Sequence, residues 1–124
     1  MPAPSQIKLH KKSQTLELVF NDQLYVLSSE FLRVLSPSAE VRGHGKGQEI
    51  LQTGKKFVEI SDITATGNYA IKLTFNDGHD SGIYSWDYLL ELGKNKEHLW
   101  QQYLQQLESA GASRVPAEIG RWSN

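Results

Sequence analysis

Two stretches of the chain share one pattern of apolar and polar positions. Every second residue is apolar in both, at Leu16, Leu18 and Phe20 and again at Ile71, Leu73 and Phe75. This period of two predicts β-strands that bury one face. An asparagine–aspartate pair, a second strand and a helix start follow each stretch, with Ser28 or Ser29 as the first N-cap and Ser85 as the second. The chain therefore divides into two similar strand–turn–strand–helix halves.

Further elements complete a small α+β domain. A strand at residues 7–9 precedes the first half, Pro37 stops the first helix, and a strand at residues 58–63 opens the second half. From Asn95 to Gly111 a third helix carries an apolar stripe at helical spacing, made of Leu99, Trp100, Tyr103, Leu104 and Leu107. We expect both halves to form one antiparallel-rich sheet, with the helices packed on one of its faces.

Length and composition narrow the class of protein. The 124 residues fit one domain, which we place at residues 1–112, followed by a flexible C-terminal tail at residues 113–124. A formal net charge of −1 does not favour a nucleic-acid partner, and the absence of cysteine excludes disulfides and thiolate zinc sites. No stretch approaches the roughly 18 apolar residues of a membrane-spanning helix, and the N-terminal residues lack the apolar core of a signal peptide. We therefore expect a cytoplasmic protein with no membrane partner.

The segment between Ser36 and Phe57 has no counterpart in the second half. Within it, residues 40–48 combine three glycines with Arg42, His44 and Lys46. Backbone N–H groups and positive charge of this kind could surround an anion, although the Gly-Lys-Ser/Thr ending of a P-loop is missing. The alternative is a flexible surface loop.

The turn at the Asn-Asp-Gly run of the second half is two residues longer than its counterpart. We expect it to lift His79 to a loop tip between Asp77 and Asp80. An imidazole beside carboxylates could bind a metal or move protons, whereas the simpler reading is a solvated loop residue. Tyr84 and Trp86 follow, and either one could anchor a partner protein if its ring is exposed.

Catalytic signatures are missing from the sequence. No Gly-x-Ser-x-Gly motif is present, no spacing links a serine to a histidine, and the acidic residues lie mainly in turns and helix starts. We expect no catalytic residue, no cofactor and no enzymatic activity.

A resemblance to a known family rests on four segments. They are residues 40–45 (Glu-Val-Arg-Gly-His-Gly), 67–70 (Gly-Asn-Tyr-Ala), 77–89 (from Asp-Gly-His-Asp to Ser-Trp-Asp-Tyr-Leu) and 110–114 (Ala-Gly-Ala-Ser-Arg). Together they resemble the gamma-butyrobetaine hydroxylase N-terminal-like family, which includes many small bacterial proteins of unknown function. Members also occur fused to P-loop iron–sulfur carrier ATPases and ahead of the oxygenase domain of carnitine-synthesis hydroxylases. The resemblance thus implies an accessory or interaction domain.

The resemblance also bears on a metal site. In the hydroxylases the domain binds a structural zinc through a Cys-x-Cys-x-x-Cys run and a turn histidine. The histidine is matched here by His79, but the cysteine run falls on Ser36, Ser38 and Val41. Hydroxyls and a valine are not zinc ligands of any strength, so the family's zinc is not carried over, and His79 with His44 alone would hold a metal weakly.

The sequence therefore leads to a non-enzymatic module that binds a protein partner, and the resemblance implies a partner in iron–sulfur protein maturation or a metabolic enzyme. Its expected binding residues are Arg42, His44, Lys46, His79, Tyr84 and Trp86. The alternatives are a metal-binding module with a degenerate site around His79, and an anion-binding domain that uses the glycine-rich loop at residues 42–48.

Overall fold

The structure is a computed structural model that describes residues 3–43 and 47–117. The first half contains β1 (Gln6–His10), β2 (Thr15–Phe20), β3 (Gln23–Ser28) and α1 (Ser29–Val34), followed by the one-turn helix α2 (Ala39–Arg42). The second half contains β4 (Ile60–Thr66), β5 (Ala70–Phe75), β6 (Gly82–Ser85) and α3 (Trp86–Lys94), and α4 (Lys96–Ala110) follows. The predicted α+β class and its C-terminal helix are confirmed. Within the described ranges, no helix is long and apolar enough to cross a membrane.

The strands form two antiparallel three-stranded sheets, β1-β2-β3 and β4-β5-β6, where the sequence predicted a single sheet. Packing between the halves accompanies this arrangement, because each half lies against the last strand of the other. Gly93 of α3 lies against the ring of Tyr25 in β3, and Ser36, in the connection after α1, lies against Gly82 of β6. A helix or a loop that covers an edge strand keeps it from pairing with another sheet.

Equivalent hydrogen bonds at both helix entries show that the two halves share one local structure. The N–H of Ser29 donates to the carbonyl of Gln14 at 2.9 Å, and the N–H of Trp86 donates to the carbonyl of Tyr69 at 3.0 Å. Each bond fastens the start of a helix to the residue that precedes the middle strand of its sheet. The repeat seen in the sequence is thus a repeat of structure.

The predicted helix caps are also present in both halves. Ser28 caps α1 and Ser85 caps α3, each accepting a hydrogen bond from the N–H three residues later, at 3.0 and 3.1 Å. Glu30 and Asp87 lie in the first turns, where a carboxylate suits the positive end of the helix dipole. Of the two serines that the sequence allowed as first cap, Ser28 takes the role.

One core joins both sheets to α1 and α3. Phe20 and Phe75 occupy equivalent positions at the ends of β2 and β5, and both are buried, as predicted. A smaller apolar cluster of Val34, Tyr103 and Leu107 attaches α4 to α1.

The start of the predicted tail is attached to the domain. Gly54 and Lys56 donate backbone hydrogen bonds to the carbonyls of Ser113 and Arg114, both at 2.9 Å. The Arg114 guanidinium also binds both carboxylate oxygens of the buried Glu30 at 2.7 Å. Residues 118–124 lie outside the described ranges, so the expectation of a flexible tail stays a prediction for them.

Candidate functional site

The imidazole of His79 is buried, so the prediction of an exposed loop tip is wrong. The side chain of Asp77 accepts the His79 N–H at 3.1 Å, and the His79 carbonyl accepts the N–H of Phe75 at 2.9 Å. These bonds fold the longer turn back onto the domain instead of outward. The residue is 5% exposed, and its ring packs against that of Phe75.

Both nitrogens of the imidazole face polar partners on the segment after α1. Nε2 lies 2.8 Å from the hydroxyl of Ser36, and Nδ1 lies 3.5 Å from a carboxylate oxygen of Glu40. Burial lowers the pKa of His79 and the charge of Arg33 lowers it further, while Glu40 and Asp77 offset this only in part. The ring is therefore held in its neutral form at neutral pH.

Two further serines extend this network to α2. The hydroxyls of Ser38 and Ser81 lie 2.7 Å apart, and Ser81 donates to Glu40 at 2.9 Å. Ser38 also caps α2 by accepting the N–H of Glu40 at 3.2 Å. The network thus fastens the turn between β5 and β6 to the α1–α2 connection.

The residues at which the resemblance places zinc ligands do come together, but they do not fit the metal. Ser36 and His79 are in direct contact, and Val41 follows Ser38 by one turn of α2. Hydroxyls and a valine are not zinc ligands of any strength, and the Nε2 of His79 is already engaged. Within residues 3–43 and 47–117 no group of three or more His, Cys, Asp or Glu side chains could hold a metal. In this protein, hydrogen bonds connect the turn between β5 and β6 to the α1–α2 connection.

The contacts of Ser36, His79 and Glu40 have the order of a nucleophile, a base and an acid. The hydroxyl of Ser36, however, belongs to a residue that is 0% exposed. It also accepts the N–H of Ser38 at 3.2 Å. A substrate cannot reach this oxygen, so the trio is a structural link.

Neither aromatic candidate forms a free recognition surface with His79. Tyr84 is fully buried and donates its hydroxyl to the carbonyl of Leu32, so the prediction that its ring could contact a partner is wrong. Burial raises its pKa. Trp86 is half-buried, and its indole N–H donates to the carbonyl of Asn68 at 2.9 Å.

An ion cluster around the buried Arg33 was not predicted from the sequence. The guanidinium of Arg33 binds Asp77 at 2.9 Å and the side chain of Gln52 at 2.9 Å, and Lys55 binds the same Asp77 oxygen at 3.0 Å. Burial alone would raise the pKa of Asp77, but the hydrogen bonds from Lys55 and from the His79 N–H, with the charge of Arg33, lower it. No local pattern in the sequence connects these residues, which come from three separate segments.

A groove of about 900 Å³ lies between α4 and residues 49–52, and we call it the α4 groove. Its apolar lining consists of Val34, Leu35, Val41, Ile50, Leu51, Leu92 and Leu99. Two hydrogen bonds hold the wall opposite α4 in place. The N–H of Ile50 donates to the carbonyl of Val41 at 2.8 Å, and the hydroxyl of Tyr103 donates to the carbonyl of Gln52 at 2.7 Å.

The rim of the α4 groove is polar. Gln102, Gln105 and Gln106 line it from α4, and Glu49, Glu91 and Arg42 line it from the other elements. Arg42 is exposed, with its guanidinium carbon 5.8 Å from the centre of the Tyr88 ring. Gly43, the next residue, has φ 72 and lies so close to Gln48 that a Cβ would collide with the Gln48 carbonyl oxygen, which explains the glycine at this position.

The predicted binding residues therefore separate. Arg42 lines the α4 groove, His79 and Tyr84 are buried, and Trp86 lies beside the turn at Asn68. His44 and Lys46 lie outside the described residues. Arg42, His79 and Trp86 do not converge on one pocket.

The comparisons with known proteins place the chain in a family. The model for the N-terminal domain of gamma-butyrobetaine hydroxylase-like proteins matches residues 7–90. The chain belongs to this family. No curated protein matches the sequence.

Solved structures support the fold. Two proteins whose structures were solved in solution by NMR are 53% and 52% identical in sequence to this chain, with TM-scores of 0.84 and 0.80. The first match covers 95% of this chain and 94% of the other protein. The second match covers 94% of this chain and 87% of the other protein. A crystal structure from Acidithiobacillus ferrooxidans ATCC 23270, of a protein with unknown function in the DUF971 family, is 34% identical. That match has a TM-score of 0.61 and covers 73% of this chain and 91% of the other.

Proposed function

We propose that the protein is a non-catalytic accessory module that binds a peptide segment of a partner protein in the α4 groove. The observation that carries this proposal is an open groove, lined by both apolar and polar side chains, whose wall at residues 49–52 is fixed by hydrogen bonds. Ligand sites in proteins are commonly pre-formed and apolar, with a few polar groups that orient the ligand.

Pre-organisation favours binding because ordering a flexible wall would reduce the affinity. Residues 49–52 contain no helix or strand, yet their contacts with Val41 and Tyr103 fix them at both ends. Ile50 is 55% exposed on this wall. Its side chain is therefore accessible to a ligand in the groove, where Leu51 and Val41 also belong to the lining.

The groups in the groove favour binding over chemistry. The hydroxyls of Tyr88 and Tyr103 donate to the backbone carbonyls of Leu35 and Gln52, at 2.6 and 2.7 Å. Burial raises the pKa of both tyrosines, to about 12 for Tyr103. Neither hydroxyl can therefore act as a base near neutral pH, and no histidine of the described residues lines the groove.

The family context supports an accessory role. Members of the family are fused to iron–sulfur carrier ATPases or precede an oxygenase domain, which suggests a partner from iron–sulfur protein maturation or a metabolic enzyme. The alternative of a metal module around His79 loses support because its ligands do not fit. The anion-binding alternative keeps one residue at the groove, Arg42.

A matched pair of variants tests the proposal. Proteins retained by the tagged chain from cells of its source are identified, the specific partner is purified, and binding is measured by calorimetry. Ile50→Asp places a charge in the α4 groove and should weaken binding at least about tenfold. Ile83→Asp makes the same change at a residue of β6 that is 47% exposed and outside the groove, and should leave binding unchanged. Unchanged affinity of a folded Ile50→Asp variant would refute the docking site.

A further inference from the structure

We infer that Arg42 and Tyr88 form a carboxylate subsite of the α4 groove, which selects a partner segment with one aspartate or glutamate side chain among apolar residues. The inference rests on the proposed function and adds the chemistry of the ligand to it. Its support comes from the position of one arginine, the charges around it and the neutral character of the remaining rim.

The guanidinium of Arg42 is oriented but free to bind. It lies over the ring of Tyr88, and one of its nitrogens is 3.5 Å from the Tyr88 hydroxyl. That hydroxyl is in turn fixed, because it donates to the carbonyl of Leu35 at 2.6 Å. The contact uses one nitrogen of the guanidinium, which leaves its other N–H groups available, and the planar N–H fork of arginine matches a carboxylate with two parallel hydrogen bonds.

No carboxylate of the described residues neutralises this cation within ion-pair distance, although two of them line the same groove. Glu49 and Glu91 both belong to the lining, and neither forms an ion pair with Arg42. Their negative charges would repel a segment that carries several acidic residues. A single carboxylate, placed at Arg42, satisfies the cation without meeting this repulsion.

The rest of the groove sets the character of the flanking residues. Apolar side chains make up part of its lining, and α4 presents the neutral amides of Gln102, Gln105 and Gln106. An amide side chain both donates and accepts hydrogen bonds, as a peptide backbone does. The segment is therefore expected to be uncharged and apolar on both sides of its acidic residue.

A side-chain carboxylate fits better than a chain terminus. Recognition of a C-terminal carboxylate commonly uses a cluster of backbone N–H groups. The contact recorded for Arg42 among the described residues is with a side chain, the hydroxyl of Tyr88, and that hydroxyl already donates its proton to Leu35. The subsite thus offers the side-chain N–H groups of the Arg42 guanidinium to a side-chain acceptor.

The test begins with a library of random twelve-residue peptides displayed on phage, selected on the full chain. Enriched peptides are synthesised with a C-terminal amide and titrated by calorimetry at constant salt. We expect one Asp or Glu among apolar residues in each peptide. Replacing it by Asn or Gln, or introducing Arg42→Gln in the protein, should each weaken binding at least about tenfold, and the two changes together should weaken it little further. Lys8→Gln, which removes an exposed cation of β1 outside the groove, should have no effect.

The outcomes separate this inference from the proposed function. If the peptides no longer bind Ile50→Asp but keep their affinity when their carboxylate is removed, the subsite is overturned and the docking groove is supported. Binding that requires a free C-terminal carboxylate would overturn the assignment to a side chain. Peptides whose affinity Ile50→Asp does not change would overturn the docking groove itself. The peptide substitution decides the matter even if Arg42→Gln loses its fold.

Discussion

Replacing His79 by alanine should destabilise the fold by about 2–4 kcal/mol. The imidazole is 5% exposed, and its Nε2 is the partner of a Ser36 hydroxyl that is 0% exposed. The Ser36 hydroxyl keeps the N–H of Ser38 as a donor but loses its partner at Nε2. Loss of a hydrogen-bond partner by a buried polar group costs about 1–3 kcal/mol, and the space left beside Phe75 adds about 1 kcal/mol more. Ser36 cannot recover this loss by bonding to water unless the turn opens.

Urea unfolding at pH 7.5, followed by circular dichroism, measures the change. The matched control is His10→Ala, because the His10 side chain is 41% exposed and contacts Glu17 on a sheet surface. An exposed pair of this kind contributes at most about 1 kcal/mol. A comparable loss of unfolding free energy in both variants would show that the buried contacts of His79 contribute no more to stability than an exposed pair does.

A double-mutant cycle tests the contact itself. Ser36→Ala, His79→Ala and the combined variant should show a coupling of about 0.5–3 kcal/mol, since the two side chains lie in direct contact at 2.8 Å. Additive effects within about 0.5 kcal/mol, or a loss below about 1 kcal/mol for His79→Ala, would refute the network as the link between the turn and the α1–α2 connection.

Four other outcomes are expected. The wild-type chain should lose stability more steeply than His79→Ala as the pH falls below 6.5, because the folded state lowers the pKa of His79 and the unfolded chain takes up the proton first. Equal slopes of unfolding free energy against pH in the two proteins would contradict this. Gly93→Ala should destabilise the fold by about 1–3 kcal/mol despite the better helix propensity of alanine, because the new Cβ would lie 2.6 Å from the Tyr25 ring. A stabilised variant would argue against that contact. Phe75→Ala should cost about 3–5 kcal/mol in urea melts, and a loss under about 1 kcal/mol would remove Phe75 from the core. Elemental analysis of protein purified without added metal should find no stoichiometric zinc, and one zinc per chain that is lost in His79→Ala would reverse that expectation.

The repeated halves could be predicted because local rules determine them. Alternation predicts which faces of β2 and β5 are buried, and serine before a helical pattern predicts the caps at Ser28 and Ser85. The Asn21-Asp22 pair also forms the predicted tight turn, with φ of 48 and 65 at its two residues. All of these features depend on neighbours within a few positions.

The arrangement of the halves depends on distant contacts, which the pattern does not contain. Two separate sheets form, with α3 against β3 at Gly93 and the α1–α2 connection against β6 at Gly82. The sequence shows both glycines but not the residues that lie against them. A single sheet was therefore the natural expectation from the pattern alone.

The candidate site was predicted in part for the same reason. The extra length of the turn at His79 was visible, whereas its direction depends on Ser36, which lies far away in the sequence. Arg42 was identified from its glycine-rich surroundings and does line the groove. The wall at residues 49–52 could not be anticipated, because the contact between Tyr103 and Gln52 that fixes it has no local signal.

Chemical-shift mapping by NMR tests the α4 groove most directly. The ¹⁵N-labelled chain is titrated with the tightest peptide from the library, and the backbone amide signals are followed. The largest shifts should occur at Arg42, Ile50, Leu51 and Gln106, which line the groove, while Lys8 on β1 should stay unchanged. Saturable shifts centred on either sheet, with the groove residues unaffected, would contradict the proposal that this groove binds the partner.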